Sequence, residues 1–91
     1  MDDPYEWEPV TKAVVVGEYR VRLTFVDGTV GEVDYSERDF RGPMFEPLTD
    51  PAYFARVFVD HEAGTIAWPN GLDLAPEPLY QACKAQPQPA R

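Results

Sequence analysis

Few side chains in this sequence are of the types that carry nucleophilic catalysis. The chain has one serine, one histidine and one cysteine, Ser36, His61 and Cys83, and none stands in a recognisable nucleophile motif. Ser36 opens the run Ser36-Glu37-Arg38-Asp39, which resembles a capping box before a short helical turn. His61 falls in a predicted hairpin loop and Cys83 on the apolar side of a predicted helix. We therefore predict no catalytic residue and no enzymatic activity.

The sequence also offers little to hold a metal ion or a cofactor. A single cysteine excludes both an intrachain disulfide and a cysteine-based zinc cluster within one chain. His61 has Asp60 and Glu62 as neighbours, but one histidine beside two acids is common by chance. The six glycines are isolated from one another along the chain, so a glycine-rich phosphate loop is missing. We predict no metal site and no cofactor.

Net charge is the strongest compositional indication of a partner. Sixteen acidic residues against eight scattered basic ones give a net charge of −8. Nucleic-acid affinity depends on clustered Lys and Arg that neutralise phosphates, so we expect no direct binding to nucleic acid. The acidity favours a basic protein partner, with a homo-oligomer as the other possibility. The alternative is that the charge only keeps the protein soluble.

Length and the two ends define the domain organisation. Ninety-one residues are enough for one modest core. We expect an extended acidic N-terminal arm at residues 1–9, a single domain at 10–85 and a flexible Pro/Gln tail at 86–91. The start is acidic where a secretory signal would be basic, and no apolar run approaches the ~20 residues of a membrane span. A soluble cytoplasmic protein without membrane contact is therefore expected.

The first half of the domain predicts a three-strand meander. Valines mark a strand from Val10 to Val16, and strict alternation marks a second from Tyr19 to Phe25. A third follows from Thr29 to Tyr35. A two-residue turn at Asp27-Gly28 would mix the buried and exposed faces. A three-residue loop, with Gly28 in the left-handed conformation, instead pairs Val21 with Val33 and both arginines of the second strand with acids of the third, Arg20 with Asp34 and Arg22 with Glu32.

The second half predicts two short helices around a further hairpin. Asp50-Pro51 is a good helix start, because Asp accepts from free amides and Pro suits the first helical position. Strands at Val57–Asp60 and Thr65–Trp68 would place Val59 opposite Ile66, and a last helix is expected over Pro76–Ala85. The fold class is therefore α+β: a small antiparallel sheet of about five strands, a three-strand meander and then a hairpin, with two short helices.

Several short runs together resemble one bacterial family. They are Gly42-Pro43-Met44-Phe45-Glu46-Pro47-Leu48, Asp50-Pro51, Tyr53-Phe54, Gly64-Thr65-Ile66, Trp68-Pro69-Asn70-Gly71-Leu72-Asp73-Leu74-Ala75-Pro76-Glu77 and Leu79-Tyr80, with Phe25, Asp27-Gly28 and Asp34 in the first half. On these residues the chain resembles the family called domain of unknown function 2442, over about residues 10–83. The resemblance implies a small antiparallel sheet with helices and no assigned activity. It also implies a two-gene pairing with the family called domain of unknown function 4160, proposed as a toxin-antitoxin module.

The segment from Trp68 to Glu77 has two interpretations. In the structural one, Trp68 and Leu74 fill the core, Asn70-Gly71 forms a turn, and Asp73 or Glu77 caps the last helix. In the functional one, a recognition surface for a basic partner consists of Phe45, Glu46, Trp68, Asn70, Asp73 and Glu77. We predict a non-enzymatic protein-interaction module, a candidate for the acidic antitoxin-like member of a pair. The alternative is a small-ligand sensing domain, related to regulators that carry a helix-turn-helix elsewhere.

Overall fold

A computed structural model describes residues 7–36 and 45–88 of the chain. Three antiparallel strands come first: β1 (Val10–Val15), β2 (Arg20–Phe25) and β3 (Val30–Asp34). A 3₁₀ helix (Glu46–Thr49) and a short helix α1 (Pro51–Phe54) follow. The hairpin of β4 (Phe58–Asp60) and β5 (Thr65–Ala67) leads to the last helix, α2 (Pro76–Lys84). The predicted α+β fold class, with five antiparallel strands and two helices, is confirmed.

The hairpin of β2 and β3 has the register that the sequence predicts. Val21 pairs with Val33, and the exposed face sets Arg20 opposite Asp34 and Arg22 opposite Glu32. Both charged pairs form ion pairs, with nitrogen–oxygen distances of 3.1 Å and 2.7 Å. The three-residue loop ends at Gly28, whose φ of 90° is the left-handed conformation that glycine adopts at little cost. Loop length and side-chain alternation therefore fix the same register.

The second hairpin is a sheet of its own, where the sequence suggested one sheet of about five strands. Val59 pairs with Ile66 as predicted, but β4 and β5 bond only to each other as strands. One backbone bond links the two sheets, from the Val10 N–H to the Gly64 carbonyl at 3.0 Å. A Cβ at Gly64 would lie 3.2 Å from the Pro9 Cβ, so the missing side chain permits this close approach.

The core lies between the sheets and α2. The inward positions of β2 are almost fully buried, as the alternation predicts: Val21, Leu23 and Phe25 are each at most 1% exposed. Phe54 contacts three aromatic rings edge-on or tilted, with centroid distances of 5.6 to 5.9 Å. The buried members are Val10, Val21, Leu23, Phe25, Val33, Tyr35, Leu48, Phe54, Ile66, Trp68, Leu72, Leu79, Tyr80 and Cys83.

Helix α2 packs against β3 at unusually short range. A Cβ built on Gly31 would lie 2.5 Å from the Cys83 Cβ and 2.7 Å from the Cys83 Cα. Only glycine leaves room for the helix at this point of the strand. The predicted apolar side of α2 is confirmed, since Leu79, Tyr80 and Cys83 are all buried. Cys83 is thus a small residue of the core.

Parts of three predicted segments lie outside the described residues: the N-terminal arm, the short helical turn after β3 and the C-terminal tail. The capping box at Ser36–Asp39 and the Gly42-Pro43 stop extend outside the described residues, as does most of the arm at 1–9. The predicted tail at 86–91 is in contact with the sheet up to Gln88, because Gln86 and Gln88 hydrogen bond to β3. No helix in the described part of the chain is long and apolar enough to cross a membrane.

Candidate functional site

The segment that follows β5 turns back on that strand. The Trp68 N–H donates to the Leu72 carbonyl at 2.9 Å, and the Gly71 N–H donates to the Trp68 carbonyl at 3.0 Å. An isolated bridge then pairs Ala67 with Asp73, and Gly71 has a φ of 92°. The predicted Asn70-Gly71 turn is confirmed, and it closes a third hairpin over the end of β5.

This turn repeats the loop between β2 and β3. There, the Phe25 N–H donates to Thr29, Gly28 donates to Phe25, and the Asp27 carboxylate accepts from the Thr29 N–H. Around Trp68 the Asn70 side chain accepts in the same way from the Leu72 N–H at 3.0 Å. Both loops have the sequence pattern aromatic-x-Asx-Gly, so the first hairpin already contains the sequence signal for the third. The Asn70 amide oxygen therefore stabilises a turn.

Trp68 is a core residue and presents no surface to a partner. Its side chain is 1% exposed, and the indole Nε1–H donates to the Phe54 carbonyl at 3.0 Å. The rings of Phe54 and Trp68 lie 5.7 Å apart. Trp68 thus fixes the turn to helix α1 from beneath, as the structural interpretation of this residue predicts.

Asn70 joins the turn to α1 on the outside. Its backbone N–H donates to the Tyr53 hydroxyl at 2.9 Å. The Arg56 guanidinium lies 5.7 Å from the centre of the Tyr53 ring, within the range of a cation–π contact. Asn70 itself is exposed. The turn is therefore held at two points and presents a surface of fixed shape.

Asp73 and Glu77 are exposed and do not cap α2. The N-cap is Ala75, and no side chain accepts a capping hydrogen bond there. The prediction that Asp73 or Glu77 caps this helix is wrong. The physical reason is that Pro76 and Pro78 lie in the first turn and carry no N–H, so a capping acceptor has fewer donors to satisfy. Glu77 lies in the first turn, where its charge faces the positive end of the helix dipole.

Phe45 and Glu46 lie at the 3₁₀ helix, directly before α1. Phe45 is half-buried and packs against the core, while the Glu46 side chain is exposed. The Glu46 carbonyl accepts from the Thr49 hydroxyl at 2.8 Å. Trp68, Asn70 and Asp73, in contrast, belong to the turn itself. Of the six predicted site residues, Trp68 is thus buried, Phe45 is half-buried, and Glu46, Asn70, Asp73 and Glu77 are exposed.

The bases that the structure describes do not neutralise the acids of this region. Within residues 7–36 and 45–88, no basic side chain forms an ion pair with Glu46, Asp73 or Glu77. Arg20 and Arg22 are engaged by Asp34 and Glu32 on the far hairpin. We call the exposed groups of Asn70, Asp73 and Glu77, with Glu46 beside α1, the acidic surface.

A second polar cluster ties the first hairpin loop to α2. The Tyr80 hydroxyl donates to the Asp27 carboxylate at 2.5 Å, and the Lys84 ammonium lies 5.4 Å from the centre of the Tyr80 ring. Burial raises the pKa of Asp27, but hydrogen bonds from Tyr80 and the Thr29 N–H outweigh it, so the net pKa is lowered. The hydrogen bond to Asp27 raises the pKa of Tyr80. This cluster therefore connects the loop between β2 and β3 to helix α2.

Asp34 and Cys83 have the other pKa changes of note. Hydrogen bonds from Ser36 and then from Arg20 lower the pKa of Asp34 to about 2. Burial raises the pKa of Cys83 to about 11, which is the reverse of what a reactive thiol needs. His61 lies in the exposed turn between β4 and β5. No group of three potential metal ligands occurs among the described residues.

The clefts of the described surface include two shallow ones. One, of about 190 Å³, lies between Tyr35 and the start of α2, with a largely apolar lining from Leu74, Ala75, Pro78 and Leu79. The other, of about 290 Å³, lies beside Arg20 and Asp34. Both are smaller than the ~300–1,000 Å³ typical of small-molecule sites.

Comparisons with known proteins give one finding. The family model described as "Protein of unknown function (DUF2442)" matches residues 10–85. No curated protein and no solved structure matches the chain. Because the match covers most of the 91 residues, the chain belongs to this family.

Proposed function

We propose that this member of the family is a non-enzymatic protein-interaction module that binds a basic protein through the acidic surface. The observation that carries the proposal is that Glu46, Asp73 and Glu77 are exposed and lack ion pairs with described bases, beside a turn fixed by Trp68 and Tyr53. A rigid surface with unsatisfied charge of one sign favours encounter with a partner of the opposite sign. The net charge of −8 also favours a basic partner.

The groups with catalytic potential support a binding role better than an enzymatic one. Cys83 is fully buried with a raised pKa, and Asn70 is committed to a turn. Three of the described bases, Arg20, Arg22 and Arg56, also have local partners. A surface with dispersed and engaged bases is poorly suited to the phosphates of nucleic acid.

The partner we propose is a basic protein of the family called domain of unknown function 4160, with this chain as the acidic antitoxin-like member. The support for that choice is the family resemblance together with the charge. A small-ligand sensing domain stays the alternative, and the apolar cleft between Tyr35 and α2 is the feature on which it would depend.

Co-purification with such a partner from the same genome tests the proposal. The chain with Asp73→Asn and Glu77→Gln should capture much less partner than wild type does, because the two substitutions remove two negative charges and keep the size of each side chain. The matched control is Glu18→Gln with Glu62→Gln, which removes two charges from exposed positions elsewhere. Equal capture by both double variants would refute the role of the acidic surface in binding. The absence of a stable complex with wild type at low salt would refute the choice of partner.

A further inference from the structure

The outer edge of β3 is bonded to side chains of the C-terminal segment, and no other strand of the described residues pairs with it. The Val30 N–H donates to the Gln88 amide oxygen at 2.8 Å, and the Glu32 N–H donates to the Gln86 amide oxygen at 2.9 Å. The Gln86 amide nitrogen donates in turn to the Glu32 carbonyl at 2.8 Å. One glutamine side chain therefore makes both bonds that a residue of a neighbouring strand would make to Glu32.

The alternation of the strand explains why these groups are available. Gly31 and Val33 pair with Leu23 and Val21 of β2, so the backbone groups of the residues between them point away from β2. Val30, Glu32 and, by the same alternation, Asp34 form this outward row, which we call the β3 edge. An edge with such a row is a template for an added strand.

The cover of this edge consists of two glutamine side chains, and the Gln88 amide nitrogen also donates to the Cys83 and Gln86 carbonyls, each at 2.9 Å. Gln88 is exposed and Gln86 half-buried, so their bonds compete with water. Each bond also requires a long, flexible side chain to stay in one rotamer, which costs conformational entropy. A partner strand makes the same bonds in a repeating row, and these bonds together with its side-chain contacts offset the cost of ordering its backbone. A segment of the right shape should therefore displace the glutamines.

Charge determines which strand would fit. Glu32 and Asp34 project from the face opposite α2, and their side chains remain 37% and 44% exposed beside Arg22 and Arg20. A strand added next to β3 would lie on the other side of each acid from its arginine. Basic residues at alternate positions would then face both acids. In a second copy paired antiparallel about Glu32, by contrast, the two Glu32 side chains would face each other, which is unfavourable.

We propose that the β3 edge is a strand-docking site for an extended segment of a partner protein with basic residues at alternate positions, and that Gln86 and Gln88 hold the site closed in the free protein. This inference rests on the proposed function in taking a basic partner, but it assigns the contact to a different surface. The mode is β-strand addition, in which backbone bonds supply affinity and alternate side chains supply specificity.

Backbone amide NMR with a synthetic peptide tests the site directly. The probe is a short, end-blocked peptide that alternates lysine and valine, added to the full chain. Wild type should show shifts and slowed amide exchange at Val30, Glu32 and Asp34. The variant with Gln86→Ala and Gln88→Ala should bind about threefold more tightly or better, because the closed state that competes with the peptide is lost. Gln81→Ala on the exposed side of α2 is the matched control and should bind as wild type does.

A second peptide separates strand pairing from simple charge attraction. N-methylation of alternate residues keeps the lysines but removes the backbone donors on one side, and it should abolish binding. Equal binding of both peptides, or shifts confined to residues 70–77, would overturn the docking site while leaving the acidic surface intact. No binding to either wild type or the double Gln variant would also overturn it, independently of the co-purification result. If the double Gln variant instead dimerises and its β3 amides become protected, the strand that docks is a second copy of this chain. That result would refute the basic partner that we propose.

Discussion

Replacing Gly31 tests the packing that places the C-terminal segment beside β3. A methyl group there would lie 2.5 Å from the Cys83 Cβ and 2.7 Å from its Cα. Carbon atoms normally approach to about 3.5–4.0 Å, so α2 would have to move by on the order of 1 Å. The Cα belongs to the helix backbone and cannot rotate away. We expect Gly31→Ala to lower the free energy of unfolding by about 2–3 kcal/mol, at the upper end of overpacking costs.

Two other glycines provide controls in which an added methyl group has a different effect on stability. Gly71 has a φ of 92° with no atom within 4 Å of an added Cβ, so Gly71→Ala should cost only the left-handed strain of about 1–2 kcal/mol. At Gly17 the added Cβ would meet only the Arg20 Cβ at 3.4 Å, and no positive φ applies. Gly17→Ala should therefore be neutral or stabilise by up to about 1 kcal/mol.

Urea unfolding followed by tryptophan fluorescence measures all three variants, since Trp68 is buried in the core. The expected order of destabilisation is Gly31, then Gly71, then Gly17. The Gly31 variant should also lose the protection of the Glu32 amide, because a displaced α2 carries Gln86 away from β3. A Gly31→Ala protein within about 0.5 kcal/mol of wild type would refute this account of the helix position.

Two further predictions concern the buried and bonded groups of α2. Tyr80→Phe should lower stability by about 0.5–1.5 kcal/mol near neutral pH through loss of the bond to Asp27. The lowered pKa of Asp27 means that this contribution is present above its usual value of 3.8 and is lost as the pH falls, so melting curves of the two proteins should converge in acid. Cys83, with a pKa raised to about 11, should react slowly with a thiol reagent at pH ~8 and quickly once denaturant unfolds the chain. Rapid labelling of the native protein would contradict its burial.

Much of the first hairpin could be predicted from the sequence because two local signals agree there. Alternation from Tyr19 to Phe25 identifies the buried face, and only a three-residue loop ending at Gly28 pairs like faces and opposite charges. The turn at Trp68 carries the same aromatic-x-Asx-Gly signal, but the apolar run after it ends in a helix and not a strand. The short return to Asp73 is therefore easily read as a simple turn.

Features that depend on distant parts of the chain could not be predicted. Trp68 fits both a core and a recognition surface by residue type, and only its contact with Phe54 decides between them. The close approach at Gly31 results from the position of α2. The alternation of residues in β3 does not indicate where that helix lies. Gln86 and Gln88 lie in a segment whose composition indicates a solvated tail, and their bonds to β3 span 54 and 58 residues of sequence.

Association kinetics of the chain with a purified basic partner test whether the acidic surface recognises that partner. At low salt, the rate constant of association should be several-fold lower for the Asp73→Asn, Glu77→Gln protein than for wild type. This difference should shrink as rising ionic strength shortens the Debye length to about 3 Å. Stability should change by less than about 1 kcal/mol, since neither side chain caps α2 and Glu77 has only its interaction with the helix dipole to lose. An unchanged association rate, together with a melting temperature many degrees lower, would show that these acids are structural and would contradict the account.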